Sequence, residues 1–338
     1  MLNDLQKLAR LIDSESCLKK IIQWKCLTEI EHKDQIHPIM AFVLGSSNPE
    51  HPVLFITGGV HGLERIGAQL AWSLLKTTID RMIWDKSLRE LFKNIRLVVI
   101  PMVNPVGYCN FTRSNGRGVD LMRNSPINSI EKTPFLLGGH RFSDKLPWYQ
   151  GQEGILEAEN RALISLFREQ TLNSRCVISL DFHSGFGIRD RIWFPFSYTK
   201  APFDDLPEIH ALTNLLEQTH PYHIYQIEPQ SKGYLLNGDV WDHLFLDFKS
   251  ENKFATFLPL TLEMGSWNWV RKNPVQIFSR QGAFNPMKEH RVRRTYRRHH
   301  LLFDFLLRAI NSHEAWSNLD HDTRSKHEQL AMGRWYRN

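Results

Sequence analysis

Apolar residues recur along this chain in two rhythms, one suited to helices and one to strands. Near the start, Leu5, Leu8, Leu11 and Ile12, followed by Ile21 and Ile22, keep helical spacing and predict an amphipathic helix over residues 2–23 at the edge of a domain. Strand-like runs follow at Lys25–Ile30, His37–Leu44 and Val53–Thr57. The last of these, VLFIT, is apolar without interruption, as suits a strand covered on both faces. Runs of similar character lie at Ile95–Pro101, Cys176–Phe182 and Phe257–Glu263, and helix-period stretches at Gly67–Lys76 and Glu157–Arg168 separate them. This order predicts an α/β fold with a mixed central β-sheet flanked by helices. Within it we expect an N-terminal helix and edge strands (1–45) packed on a main domain (46–315), and a polar C-terminal tail (316–338) whose residues from about Asp320 onward read as a tail or a peripheral helix.

Composition changes this picture little. The 338 residues are 42% hydrophobic and 23% charged, enough for one large core and too apolar for a disordered chain. The net charge of +6 is small for this length, and part of it sits in Arg291–Arg298 (RVRRTYRR), which reads as the solvated face of a helix. Neither a nucleic-acid partner nor a membrane partner is expected from it. Cys17, Cys26, Cys109 and Cys176 are scattered without a CxxC spacing and are expected to be free thiols. The N-terminal stretch lacks the apolar centre of a signal peptide, and no apolar run is long enough to span a bilayer, so a cytoplasmic protein is expected.

The candidate chemistry collects at the ends of the predicted strands. After VLFIT comes GGVHGLE (58–64), whose His61 and Glu64 are three residues apart and on a turn can converge on one ion. His183 closes a second apolar strand in SLDFHSGFG (179–187). An HxxE pair alone is common by chance, and a lone strand-end histidine is more often structural; two such ends at one rim of a sheet supply three ligands and leave a fourth position for water, as in a catalytic zinc site. Glu263, in LTLEMGSW, closes another apolar strand and can be a loop charge or the carboxylate that takes a proton from water near a metal. Arg113, Arg117 and Arg123 lie on the glycine-containing stretch of residues 104–124, where guanidinium forks suit a substrate carboxylate or a developing oxyanion.

From about Val53 to Trp267 these motifs come in an order that resembles the zinc metallocarboxypeptidases of the carboxypeptidase A type, particularly short bacterial members such as murein peptide amidases. The resemblance rests on HGLE for the HxxE motif, NPVGY for NPDGY, TRSNGRGVDLMRN for TRxNxxGVDLNRN, YQGQEGILEAENRAL for YxGxxPxSExExxAL, HSG, and LTLEMG. It implies a zinc-carboxypeptidase-like fold with one zinc ion per chain on His61, Glu64 and His183, and Glu263 as general base. It further implies Arg113 as the oxyanion stabiliser, Arg123 as the grip on a terminal carboxylate, Asp120 as the acid orienting His61, and Tyr234 as the substrate-capping tyrosine, although Tyr222 and Tyr225 lie nearby.

The departures bear on the substrate. Met122 stands where the family usually places an asparagine beside Arg123, and it cannot donate a hydrogen bond. Val106 replaces the aspartate of NPDG, the stretch from Asp242 to Glu263 looks longer than usual, and Trp241 falls where the family tunes its side-chain pocket. The expected activity is cleavage of a peptide (amide) bond near a carboxyl terminus, on a peptide or acyl-amino-acid substrate. A zinc amidase or deacylase acting on cell-wall peptides or N-acyl amino acids is the alternative, and an inactive binding protein on the same fold is a third. The sequence does not fix the oligomeric state.

Overall fold

The computed structural model describes residues 1–185 and 187–337. The chain runs through helices α1 (Leu2–Ser14) and α2 (Ser16–Lys19) into strands β1 (Ile22–His32), β2 (Gln35–Gly45) and β3 (Val53–Gly58). Helices α3 (Arg65–Trp84) and α4 (Lys86–Leu91), strand β4 (Arg96–Ile100), and helices α5 (Pro105–Asn110) and α6 (Ala158–Thr171) come next. Then follow β5 (Cys176–Gly185), β6 (Arg191–Phe194), α7 (Leu206–Thr219), β7 (Gln226–Pro229), α8 (Val240–Glu251) and β8 (Thr256–Gly265). The chain ends with α9 (Trp267–Lys272), α10 (Glu289–Asn311) and α11 (His321–Ala331).

The strands form one mixed sheet in the order β1-β2-β4-β3-β5-β8-β6-β7. Its centre, β4-β3-β5-β8, is parallel, with β2 antiparallel to β4 and β6 antiparallel to β8. Every residue of β3 and β4 is buried, which is why their sequences, apart from Thr57 and the carbonyl-bonded Arg96, run apolar rather than alternating. The chain steps from β3 to β4 in one direction and crosses back to β5 in the other, so right-handed crossovers put α3 and α6 on opposite faces. Helix α10 joins α3 on its face, and α8 packs beside α6 on the other. There Phe55, Phe167, Trp241 and Phe257 interlock through edge and tilted ring contacts.

The mixed sheet flanked by helices is as expected, but both chain ends differ. Helix α1 stops at Ser14, Glu15 is extended (φ −106°, ψ 108°), and Ile22 opens β1 rather than a last helical turn. Apolar spacing alone did not register the break, because Ile21 and Ile22 satisfy both periods. Of the tail or peripheral helix expected at the C-terminal end, the structure has the helix, and it is docked rather than loose. Trp316 is fully buried, α11 lies on α7 through Arg324–Glu208, and Arg334 pairs with Glu217. Trp335 enters the core and donates its indole N–H to the Ile227 carbonyl at 2.8 Å. Cys26, Cys109 and Cys176 are free thiols, whereas the side chain of Cys17 and residue Phe186 of the SLDFHSGFG stretch lie outside the described parts. Among the described residues no helix is long and apolar enough to cross a membrane.

Candidate metal centre

An open parallel sheet leaves a crevice at the carboxyl ends of its strands where the strand order reverses. Here the reversal lies between β3 and β5. The turn after β3 carries His61 and Glu64, with Glu64 at the start of α3, and β5 carries His183. Parallel pairing then sets Glu263 of β8 opposite His183, and Gly265 opposite Gly185. A Cβ at Gly185 would meet Oε1 of Glu263, so a larger residue there would have to push that carboxylate aside.

His61, Glu64 and His183 are all buried and converge, with one ligand atom from each lying within 4.8 Å of the others. The two Nδ1 atoms face each other at 3.1 Å, and Glu64 reaches them at 2.9 Å (His61) and 3.2 Å (His183). Nitrogens bound to one tetrahedral zinc stand roughly 3.3 Å apart, so this spacing fits the ion. The far side of each ring supports the same reading. His61 Nε2 meets Asp120 Oδ1 at 3.0 Å and His183 Nε2 meets Asp181 Oδ2 at 2.8 Å, so each Nε2–H has a carboxylate to accept it in the tautomer that frees the Nδ1 lone pair for a metal. Two lone pairs and a carboxylate pointed at one another out of water repel unless a cation lies between them.

Arg113 spans the two acids of this cluster, donating from Nε to Asp120 at 2.8 Å and from its Nη1 to Glu64 at 3.3 Å. Burial works against the charge of Asp120, yet Arg113 and then His61 hold its carboxyl well below the usual range. Glu263 faces the same space, and among the described residues none bonds its carboxylate. Burial, then the charge of Glu64, pushes it up to about 8; a dication beside it pulls the other way.

A cleft of about 800 Å³ opens over the centre. Arg113, Met122, Arg123, Tyr234, Trp241 and Glu263 all line it, whereas Arg117 points away, exposed, toward Glu157 at 3.7 Å. Arg123 is buried, and its guanidinium meets only carbonyl oxygens, those of Leu137 at 3.3 and 3.2 Å and of Met122 at 3.2 Å. Among the described residues no carboxylate bonds it directly, although Asp120 and Asp239 lie close enough to feel its charge. Gly238, at φ +77°, lies so close to the Arg123 backbone that no Cβ fits there. Of the three tyrosines, Tyr222 is exposed and Tyr225 is buried against His299, while Tyr234 stands in the cleft edge-on to Trp193. Asn124, next to Arg123, is tied to the Gln150 and Ile155 carbonyls and is structural.

Two features escaped the sequence reading. Asp181 supports His183 as Asp120 supports His61; it lies two residues before His183 on one strand, hence on the same face, and that D-x-H spacing was the available signal. Arg191 of β6 stands in register with Glu263 and also lines the cleft, bonded to Glu228 at 3.1 Å; a four-residue strand with an arginine gave no pattern to read.

Comparison with known proteins agrees with this geometry. The family model for zinc carboxypeptidase matches residues 28–267. Carboxypeptidase SOL1 of Arabidopsis thaliana is 21% identical over 243 residues, covering 69% of this chain and 44% of that protein. Carboxypeptidase B of Astacus astacus is 24% identical over 197 residues, 53% of this chain and 60% of that protein. The chain thus spans about half the length of the curated relatives it matches. Among solved structures, thrombin activatable fibrinolysis inhibitor superposes with a TM-score of 0.68 at 19% identity, covering 93% of this chain and 74% of that one. Carboxypeptidase A from Helicoverpa armigera superposes with a TM-score of 0.56 at 15% identity, covering 84% and 72%. At these identities the superpositions speak to the fold alone. With the family model covering most of its length, from Thr28 to Trp267, this chain belongs to the zinc carboxypeptidase family.

Proposed function

We propose that this protein is a zinc-dependent hydrolase that cleaves the amide bond next to a terminal, carboxylate-bearing residue of a peptide. The observation that carries the proposal is the convergence of two histidine Nδ1 atoms and Glu64 on one point, beside the Glu263 carboxylate that pairing with β5 sets opposite His183. Zinc held by His61, Glu64 and His183 supplies a Lewis acid that polarises the carbonyl and acidifies water. The protein's own groups carry the rest. Glu263 takes a proton from the attacking water and passes it to the leaving nitrogen. Arg113, oriented by Asp120, offers its guanidinium to the oxygen that gains charge, and Arg123 holds the substrate carboxylate. Tyr234 covers the bound residue from the cleft wall.

A second reading follows from Met122, which is buried beside Arg123 and offers no donor. A site that grips its carboxylate with Arg123 alone also suits an N-acyl amino acid or a cell-wall peptide fragment, on which the same groups perform deacylation. The test is zinc content in the wild type and in His61→Ala, together with hydrolysis of C-terminally free peptides, cell-wall fragments and N-acyl amino acids. About one zinc, lost in the variant, with chelator-sensitive cleavage supports the proposal, and the preferred panel member decides between the readings. A metal-replete wild type without zinc overturns both and leaves an inactive binding protein.

A further inference from the structure

Trp241 lines the cleft, but its indole N–H points away from it, into the sheet. There Nε1 donates to Asp181 Oδ2 at 3.0 Å, the same oxygen that accepts from His183 Nε2 at 2.8 Å, while the other oxygen accepts from Thr57 Oγ1 at 2.8 Å. Asp181 is 0% exposed and Trp241 is 3% exposed, so with the indole in place the protein's own groups, not solvent, satisfy this carboxylate. Burial opposes the charge of Asp181, but His183, Trp241 and Thr57 together keep its carboxyl below the usual range. The carboxylate is thus clamped from both sides, and its plane decides where His183 Nε2 points and therefore where Nδ1 points. The indole is in turn fixed, edge-on to Phe55 at 6.3 Å and Phe167 at 6.2 Å, and by its place in the first turn of α8, where Asp239 caps its backbone N–H at 2.8 Å.

We infer that Trp241 is a positioning residue for the metal centre: through Asp181 it holds the His183 ring with Nδ1 toward the ion, and Thr57 performs the same service from the other side. The wall of the substrate cleft and the metal ligand are therefore one mechanical unit. This inference rests on the zinc reading and goes beyond it, since Trp241 otherwise serves only as a pocket wall.

The experiment measures zinc affinity by competition with a chromophoric chelator in wild type, Trp241→Phe, Asp181→Ala and the double variant, with circular dichroism and thermal melting as controls on folding. Trp241→Phe keeps an aromatic ring and deletes the donor. It is expected to weaken zinc about tenfold, within the range seen when an outer partner of a metal histidine is removed. The same change in the Asp181→Ala background should have little further effect, because the acceptor through which Trp241 reaches His183 is then gone. Thr57→Val, which alters no cleft residue, should also weaken zinc and carries the test if Trp241→Phe folds poorly. Zinc affinity within about twofold of wild type in both donor variants, or an equal loss from Trp241→Phe in both backgrounds, overturns the inference and leaves the zinc reading intact. A wild type that binds no zinc overturns the two together.

Discussion

His183 and Glu263 stand directly opposite each other on the adjacent parallel strands β5 and β8, so strand pairing fixes the distance between a metal ligand and the candidate base. Neither residue depends on a mobile loop for its place. Because Glu263 makes no bond that holds the ligands together, Glu263→Gln should leave zinc in place. It should lower kcat/KM about 10²- to 10⁴-fold, the usual share of a general base. Parallel measurement of zinc content and turnover checks this; loss of zinc together with activity would make Glu263 a structural residue.

The pairing of Gly185 with Gly265 one step further along gives a second test. A methyl group at Gly185 collides with Glu263 Oε1, so Gly185→Ala must push the carboxylate aside. A displacement near 1 Å costs on the order of 10²-fold in rate. We expect kcat to fall by about that factor with zinc affinity and melting temperature nearly unchanged, and an unaltered kcat would show that Glu263 does not act from this position.

Arg123 and Met122 divide the question of what the substrate presents. Arg123→Ala should raise KM on the order of 10²-fold for peptides with a free terminal carboxylate and change little for amidated ones. Met122→Asn adds a donor at the cleft wall beside Arg123, and one charge-assisted hydrogen bond should lower KM by up to about tenfold for free-carboxylate peptides. KM values for matched free and amidated peptides decide the matter. Equal effects on both substrates would remove Arg123 from carboxylate recognition.

The parts of this site that a sequence displays are those carried by residues with a local pattern. His61 and Glu64 follow an unbroken apolar strand, and His183 and Glu263 each lie at the far end of one, so periodicity alone put them on a common rim. Asp181 was visible only as a spacing of two along a strand, which acquires meaning once that face is known to hold a metal ligand. The role of Trp241 was hidden, because its partner is 60 residues away and only the packing of α8 on the sheet brings them together. The sequence leaves the C-terminal segment open between tail and peripheral helix for a related reason. Helix α11 is polar along most of its length and is held by isolated anchors, Trp316 before it and Trp335 after it, which make no periodic stripe.

Those anchors are testable. Trp335 packs at 4.8 Å against Phe194, itself a cleft-lining residue, and at 5.7 Å against His210, and its indole N–H holds the β7 backbone. Trp335→Ala should cost about 3–5 kcal/mol of unfolding free energy, the usual loss for a buried tryptophan. Urea titration measures it, and a loss under about 1 kcal/mol would mean that the C-terminal segment is not part of the cooperative unit.

Acid should find a weak point at His299. Its ring is buried in α10, with Nδ1 at 3.0 Å from the Tyr225 hydroxyl and Nε2 at 3.7 Å from Asp190; Arg298 bonds the same Asp190, and His300 is adjacent. Burial lowers His299 from an ordinary 6.5 to about 4, against the pull of Asp190, and Arg298 and His300 add to the lowering. The folded protein therefore binds fewer protons here than the unfolded chain between those two values. The stability tied to this ring is complete above pH 6.5 and is lost as pH falls toward 4, on the order of 3 kcal/mol in all. Asp242, which burial and Asp239 push up to about 8, runs in the opposite sense and gains stability as pH falls below that value, so the total slope mixes the two. The comparison of wild type with His299→Asn separates them, since asparagine can still meet the Tyr225 hydroxyl but does not titrate. The variant should be the less stable at pH 7, yet between pH 6.5 and 4 its unfolding free energy should fall less steeply, by up to about 1.4 kcal/mol per pH unit, the weight of one proton. Parallel slopes for the two proteins over that range would mean that His299 takes up its proton as readily folded as unfolded.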